Sequence, residues 1–377
     1  MGGTCLSFGF PRMYREAGER RDFLPPLIAS LASTGCDVVA ERGIGSGMGF
    51  GDHDYLAAGA RIGDEAAAYA QDVVVVLRSP ARFDLLNPGT TLVSMLHFPT
   101  RQSRVAELVE RGLEAISLDS IEDDDGTRLV VNPRAVAWNG LEAAFQALSR
   151  TWPALETAER APARVLIMGA GLIGKHAVEA ATKFGDTFRA AWYSALGLPG
   201  VEAITVGRNL TGCERYLRAR LSTIDILVDA TQREDPSRPL IRNAWLARLP
   251  EHAVVCDLVV DPYLLDADPP TVRGIEGIPQ GDLDRYVLPP DDPAWDRVPS
   301  GIPTGERRTV ASCYSWPGVH PRECMELYGR QLEPLLGTLL ERGGTRGLRA
   351  DGTPLERALR RGSLRAWIER PADLVVV

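Results

Sequence analysis

Short apolar runs alternate with stretches of helical spacing along most of this chain. Residues 5–10, 37–40, 72–77, 91–98 and 113–118 read as strands. The run at 72–77, Asp-Val-Val-Val-Val-Leu, is nearly all apolar, as expected of a strand covered on both faces. Between these runs, residues 22–32 and 103–111 place apolar side chains at helical intervals. A long amphipathic helix is expected over 134–149, then a connector over 152–162. A second series follows, with strands at 164–168, 204–206, 224–229 and 253–260. The proline-rich stretch 287–303 reads as an irregular loop. Leucines at helical spacing mark a helix over 323–342, and 345–377 is arginine-rich and mixed. This rhythm of strand and helix predicts an α/β fold, with mostly parallel sheets covered by helices on both sides.

The strand at 164–168 runs directly into Gly169-Ala170-Gly171-Leu172-Ile173-Gly174, and a helical pattern begins at Lys175. Strand, glycine turn and helix are the context in which G-x-G-x-x-G signifies a dinucleotide site. The first glycine permits the turn, the second admits a pyrophosphate, and the third lets helix and strand pack. These six residues are the expected cofactor cradle. The next strand of such a fold commonly ends in an acid that binds the ribose hydroxyls of NAD. Here it ends Val206-Gly207-Arg208-Asn209, with no acid, and Arg208 is placed to pair with a 2′-phosphate. NADP(H) is therefore favoured over NAD(H). The interval 183–199 makes the gap between motif and strand longer than usual.

Composition narrows the function. A net charge of −8 on 377 residues argues against nucleic-acid binding. No apolar run approaches the ~20 residues of a membrane span, and Met1–Leu6 lacks signal-peptide character, so a soluble cytoplasmic protein is expected. The six cysteines show no C-x-x-C spacing, and Asp123-Asp124-Asp125-Gly126 lacks the spacing of a calcium loop, so no metal site is expected. Lys175 and Lys183 are the only lysines, which leaves almost no candidates for a catalytic lysine.

Three segments then carry a resemblance: Glu19–Pro25 (ERRDFLP), Glu41–Gly47 (ERGIGSG) and Asp52–Ala60 (DHDYLAAGA). Together they resemble the N-terminal domain of the alanine dehydrogenase / pyridine nucleotide transhydrogenase superfamily. Leu96-His97-Phe98 is similar to a segment of the same family. Leu118–Glu122 with Asp125–Arg128, and Trp316–Glu323, resemble the lysine-forming saccharopine dehydrogenases. The resemblance implies two Rossmann-like domains with substrate in the cleft. The dinucleotide-binding domain, 136–317, is inserted into a discontinuous substrate domain of 1–135 and 318–377. It also implies hydride transfer between a nicotinamide and the carbon of a C–N bond.

That chemistry assigns roles. A substrate carboxylate needs a fixed cation, and Arg20 occupies the position the resemblance implies. His97 follows an apolar strand and suits proton transfer near neutrality. Asp119 and Glu122 are the carboxylates that could assist it or bind substrate. Where the resemblance implies a catalytic lysine, this chain has Arg78, which stays protonated and cannot act as a base, although it could hold a carboxylate. Thr231 and Asp261 are expected beside the cofactor, as is Trp316 where the chain returns to the first domain; Asp257 could equally be a buried structural acid. His320 is expected to open a helix.

The leading expectation is an NADP(H)-dependent imine reductase or amino-acid dehydrogenase that couples an amino acid with a carbonyl compound. The alternatives are a simple deaminating amino-acid dehydrogenase and a catalytically silent NADP-binding sensor. Small molecules are the expected partners, not nucleic acid or membrane, and homo-oligomers are compatible with the fold.

Overall fold

The computed structural model describes residues 6–13, 16–80, 82–233 and 235–370; Cys5, the start of the first expected strand, lies outside them. The chain divides into two compact units, Met1–Asn132 with His320–Val377, and Pro133–Val319. Each is an α/β unit built on a six-stranded sheet.

In the first unit the strands are β1 (Phe8–Phe10), β2 (Val38–Glu41), β3 (Arg61–Gly63), β4 (Val73–Arg78), β5 (Thr91–Met95) and β6 (Glu114–Ser117). They pair in the order β3-β2-β1-β4-β5-β6, all parallel. The chain winds outward from β1 in both directions. The carboxyl ends of β1 and β4 therefore form a topological switch point, where α/β sheets place ligands. A register shift between Val75 and Arg78 sets Arg78 opposite Met95 on β5.

The second unit contains β7 (Ala163–Met168), β8 (Val201–Val206), β9 (Ile226–Asp229), β10 (Val254–Asp257), β11 (Val287–Leu288) and β12 (Thr309–Ser312). Their order is β11-β12-β10-β9-β7-β8, and only β11 runs antiparallel. Alternate residues of β7 feed opposite core layers, Val165 and Ile167 one, Leu166 and Met168 the other. The switch point here lies between β7 and β9, beside the glycine turn.

Several boundaries differ from the sequence expectation for clear reasons. The helix expected from residue 22 begins at Pro25, because Leu24 precedes a proline and stays extended (φ −88°, ψ 157°). β5 stops at Met95 rather than 98, because His97 turns into the left-handed region (φ 52°) and a 3-10 turn, Phe98–Thr100, follows. The long interval before β8 holds an extra helix, Thr187–Ala195, capped by Asp186, whose carboxylate accepts from the Phe188 N–H at 2.8 Å. The stretch read as an irregular loop contains β11 and the 3-10 helix Pro293–Arg297. A helix, Pro321–Glu341, opens after His320. Among the described residues no helix is long and apolar enough to cross a membrane.

Candidate active site

The glycine turn after β7 has the geometry a pyrophosphate requires. Gly169 sits at φ +107°, and a Cβ there would stand 2.2 Å from the carbonyl oxygen of Ala230. A Cβ on Gly174 would stand 2.0 Å from the Gly169 carbonyl, so only glycine lets the helix start this close to the strand. Gly171 faces the other way: nothing lies within 4 Å of its Cβ position. It caps the helix Leu172–Ala181 without any side-chain hydrogen bond, leaving the first-turn N–H groups to a ligand. Ala170 and Leu172 are exposed at the turn and Ile173 is half-buried. The cradle thus fits a dinucleotide. The Gly169 N–H donates to the Val206 carbonyl at 2.9 Å, tying the turn to the end of β8. Arg208 is exposed two residues further on and opens the short helix Arg208–Thr211.

The carboxyl ends of β9 and β10 are held by a buried polar cluster. Asp229 accepts from the Thr231 N–H (3.0 Å) and hydroxyl (2.6 Å). Burial, then the neighbouring Asp257 carboxylate, pushes Asp229 up to about 7, against the hydrogen bonds from Thr231. Asp257 accepts from the Val259 and Val260 N–H groups through one oxygen and pairs with buried Arg273 through the other. Arg273 also donates to Gln280 at 2.6 Å and to Ser312 at 3.2 Å. Asp257 therefore does structural work, while Asp261, half-exposed, pairs with Arg233. Val260 between them sits at φ 57°, a strained conformation for a β-branched residue. Trp316 departs from expectation. It is 1 % exposed, and its indole N–H donates to the Asp257 carbonyl at 2.7 Å, so it offers no surface to a cofactor.

At the carboxyl ends of the first unit's strands, His97 meets Asp119. The His97 Nδ1 lies 3.4 Å from one carboxylate oxygen. The other oxygen accepts from the His97 backbone N–H (3.2 Å) and the Ser117 hydroxyl (2.7 Å). Burial raises the Asp119 carboxyl, but the bonds from His97 and Ser117 outweigh it and hold it well below the usual range. The imidazole itself is 53 % exposed. Of the two carboxylates considered for His97, the structure brings Asp119 to it; Glu122 instead faces Arg128 at 4.0 Å.

The cations divide in a way the sequence did not disclose. Arg20 is exposed and donates to the Gly18 carbonyl at 3.1 Å. Its neighbour Arg21 is buried, gripping Glu19 through Nε (2.8 Å) and Nη2 (2.6 Å), with Cys324 at 3.9 Å from Nη1. Arg78 ends β4, half-buried, 3.4 Å from Glu16. Glu16, Glu19 and Arg21 are the additions that sequence reasoning missed; the only signal was the acid two residues before one of two adjacent arginines. Asp22, also unassigned, accepts from the Met13 and Gly45 N–H groups at 2.8 and 2.9 Å, joining the loop after β1 to the glycine-rich stretch after β2. Burial pushes its carboxyl up to about 7.

Known proteins resemble this chain in sequence and fold. Residues 11–135 match the alanine dehydrogenase/PNT N-terminal domain family. An alanine dehydrogenase of Halomonas elongata is 24 % identical over 290 residues, covering 68 % of this chain and 73 % of that protein. One of Mycobacterium tuberculosis is 26 % identical over 279 residues, with the same coverage of each. A solved L-alanine dehydrogenase superposes with a TM-score of 0.68 at 20 % identity, over 95 % of this chain and 94 % of that one. The likeness in structure confirms the fold, two Rossmann-like domains with parallel sheets.

Proposed function

We propose that this chain is a nicotinamide-nucleotide-dependent amino-acid dehydrogenase that oxidises the C–NH2 carbon of an amino acid and releases ammonia. What carries the proposal is the sequence likeness to alanine dehydrogenases across 68 % of the chain. The glycine turn is the cradle for the nucleotide, and Thr231 and Asp261 stand at the neighbouring strand ends. The bound nicotinamide would supply the hydride acceptor. Asp119 fixes the ring of His97, and His97 takes the proton released as water adds to the imine carbon. Arg78 cannot serve as that base. It supplies a fixed cation for a carboxylate, alongside the guanidinium of Arg20. Exposed Arg208, in the place of the usual ribose-binding acid, supports NADP(H) over NAD(H).

The coupling of an amino acid with a carbonyl compound is the second reading. The resemblance of Leu118–Glu122, Asp125–Arg128 and Trp316–Glu323 to saccharopine dehydrogenases is what favours it; Arg78 decides nothing between the two. The discriminating experiment follows NADP+ and NAD+ reduction with each L-amino acid, and NADPH oxidation with 2-oxo acids plus ammonia or plus a second amino acid. Reduction with ammonia release is expected. Oxidation only with a second amino acid would select the coupling reading. No turnover at all, with nucleotide binding intact, would overturn both and leave a silent sensor.

A further inference from the structure

The arginines of the C-terminal segment have no part in the chemistry above. Residues 342–370 contain eight arginines and three acids, in a chain whose net charge is −8. They fold around two adjoining pockets of about 230 and 340 Å3 in the first unit. Arg360 and Ala366 line both pockets.

Most of these guanidiniums are already engaged, but incompletely neutralised. Arg346 faces Glu114 at 3.3 Å and Arg365 faces Glu369 at 2.9 Å. Arg357 and Arg361 share a single carboxylate, Asp124, which leaves one positive charge uncompensated. Arg370 stacks over the ring of Trp367, 4.9 Å from its centroid. Among the described residues no hydrogen bond or ion pair engages the Arg360 guanidinium, half-buried where the two pockets meet. A concave surface with excess guanidinium charge and one unengaged fork at its centre is matched to phosphate oxygens.

We propose that this hollow binds a polyphosphate anion, with Arg360 as its central contact. Two connections lead from it to His97. Ser363 lines the smaller pocket, and the Gly362 carbonyl beside it accepts from the Ser117 N–H at 2.8 Å. Ser117 in turn donates to Asp119. Trp367 packs on Phe98, the residue after His97, with ring centroids 5.9 Å apart. An anion bound here therefore sits one short chain of contacts from the His97–Asp119 pair.

Isothermal titration with pyrophosphate, ATP and sulfate tests the proposal, using the whole protein and its Arg360→Ala and Gly171→Asp variants. Saturable pyrophosphate binding is expected, weakened at least about tenfold by Arg360→Ala and kept by Gly171→Asp. Tighter binding of ATP would assign the phosphates to a nucleotide; equal binding would assign them to a free polyphosphate. No saturable binding, or sulfate binding as tight as pyrophosphate, would overturn the proposal. So would loss only in Gly171→Asp, which would place the anion at the glycine turn.

Discussion

The two units order their strands differently, yet each has a switch point beside its first strand, and the residues at the two switch points differ. In each, a central strand has neighbours on both sides, β1 between β2 and β4, β7 between β8 and β9, so each has a switch point at its carboxyl edge. After β7 the chain strips its side chains away: Gly169 and Gly174 let turn, strand and helix approach closely, and the Cβ position of Gly171 faces open space. The loop after β1 does the reverse, placing Glu16, Glu19 and Arg21 there, with Arg78, His97 and Asp119 on the neighbouring strand ends. Topology decides where a ligand can sit; residue chemistry separates the unit proposed to hold a phosphate from the unit proposed to move a proton.

Substitutions can break this contrast at either edge. The largest effect is expected from Gly171→Asp. Its Cβ meets nothing, so the fold should survive, while a carboxylate at the closest approach to the pyrophosphate should weaken nucleotide binding at least about 100-fold. Fluorescence titration beside a circular dichroism spectrum checks both statements.

Asp229→Asn probes the rigidity of the nucleotide edge. The folded pKa of about 7 lies above the ordinary carboxylate value, so the native state holds the extra proton. Stability should fall as pH rises from about 4 to 7, and then level. The asparagine variant should lose that slope and gain on the order of 2 kcal/mol above pH 7, read from urea unfolding at several pH values.

On the proton-moving side, Asp119→Asn should lower kcat about tenfold with little change in KM, because the His97 ring loses the carboxylate that orients it. Arg208→Ala should have the smallest effect, narrowing the preference for NADPH over NADH about three- to tenfold in paired binding titrations.

How far the sequence disclosed all this depended on whether a feature was local. The strand at 72–77 was readable because burial on both faces makes Val73–Leu77 a continuous apolar run. β3 was not, since its three residues, Arg61–Gly63, are partly exposed. β12, Thr-Val-Ala-Ser, is fully buried yet has neither alternation nor an apolar run. The glycine turn was readable because six consecutive residues specify it. The choice between Asp119 and Glu122 as partner to His97 required the fold, as did the burial of Arg21 beside exposed Arg20. Arg273 was out of reach: it clamps Asp257 from irregular chain sixteen residues away, where no periodicity marks it.

The central claim is that one unit holds the nucleotide and the other supplies the proton chemistry. It is tested most directly by His97→Ala, with NADPH affinity and turnover of the best amino-acid substrate measured on the same preparation. Turnover should fall by about 10²- to 10⁴-fold while the NADPH Kd stays unchanged. Undiminished turnover, or a matching loss of nucleotide affinity, would contradict the division of labour.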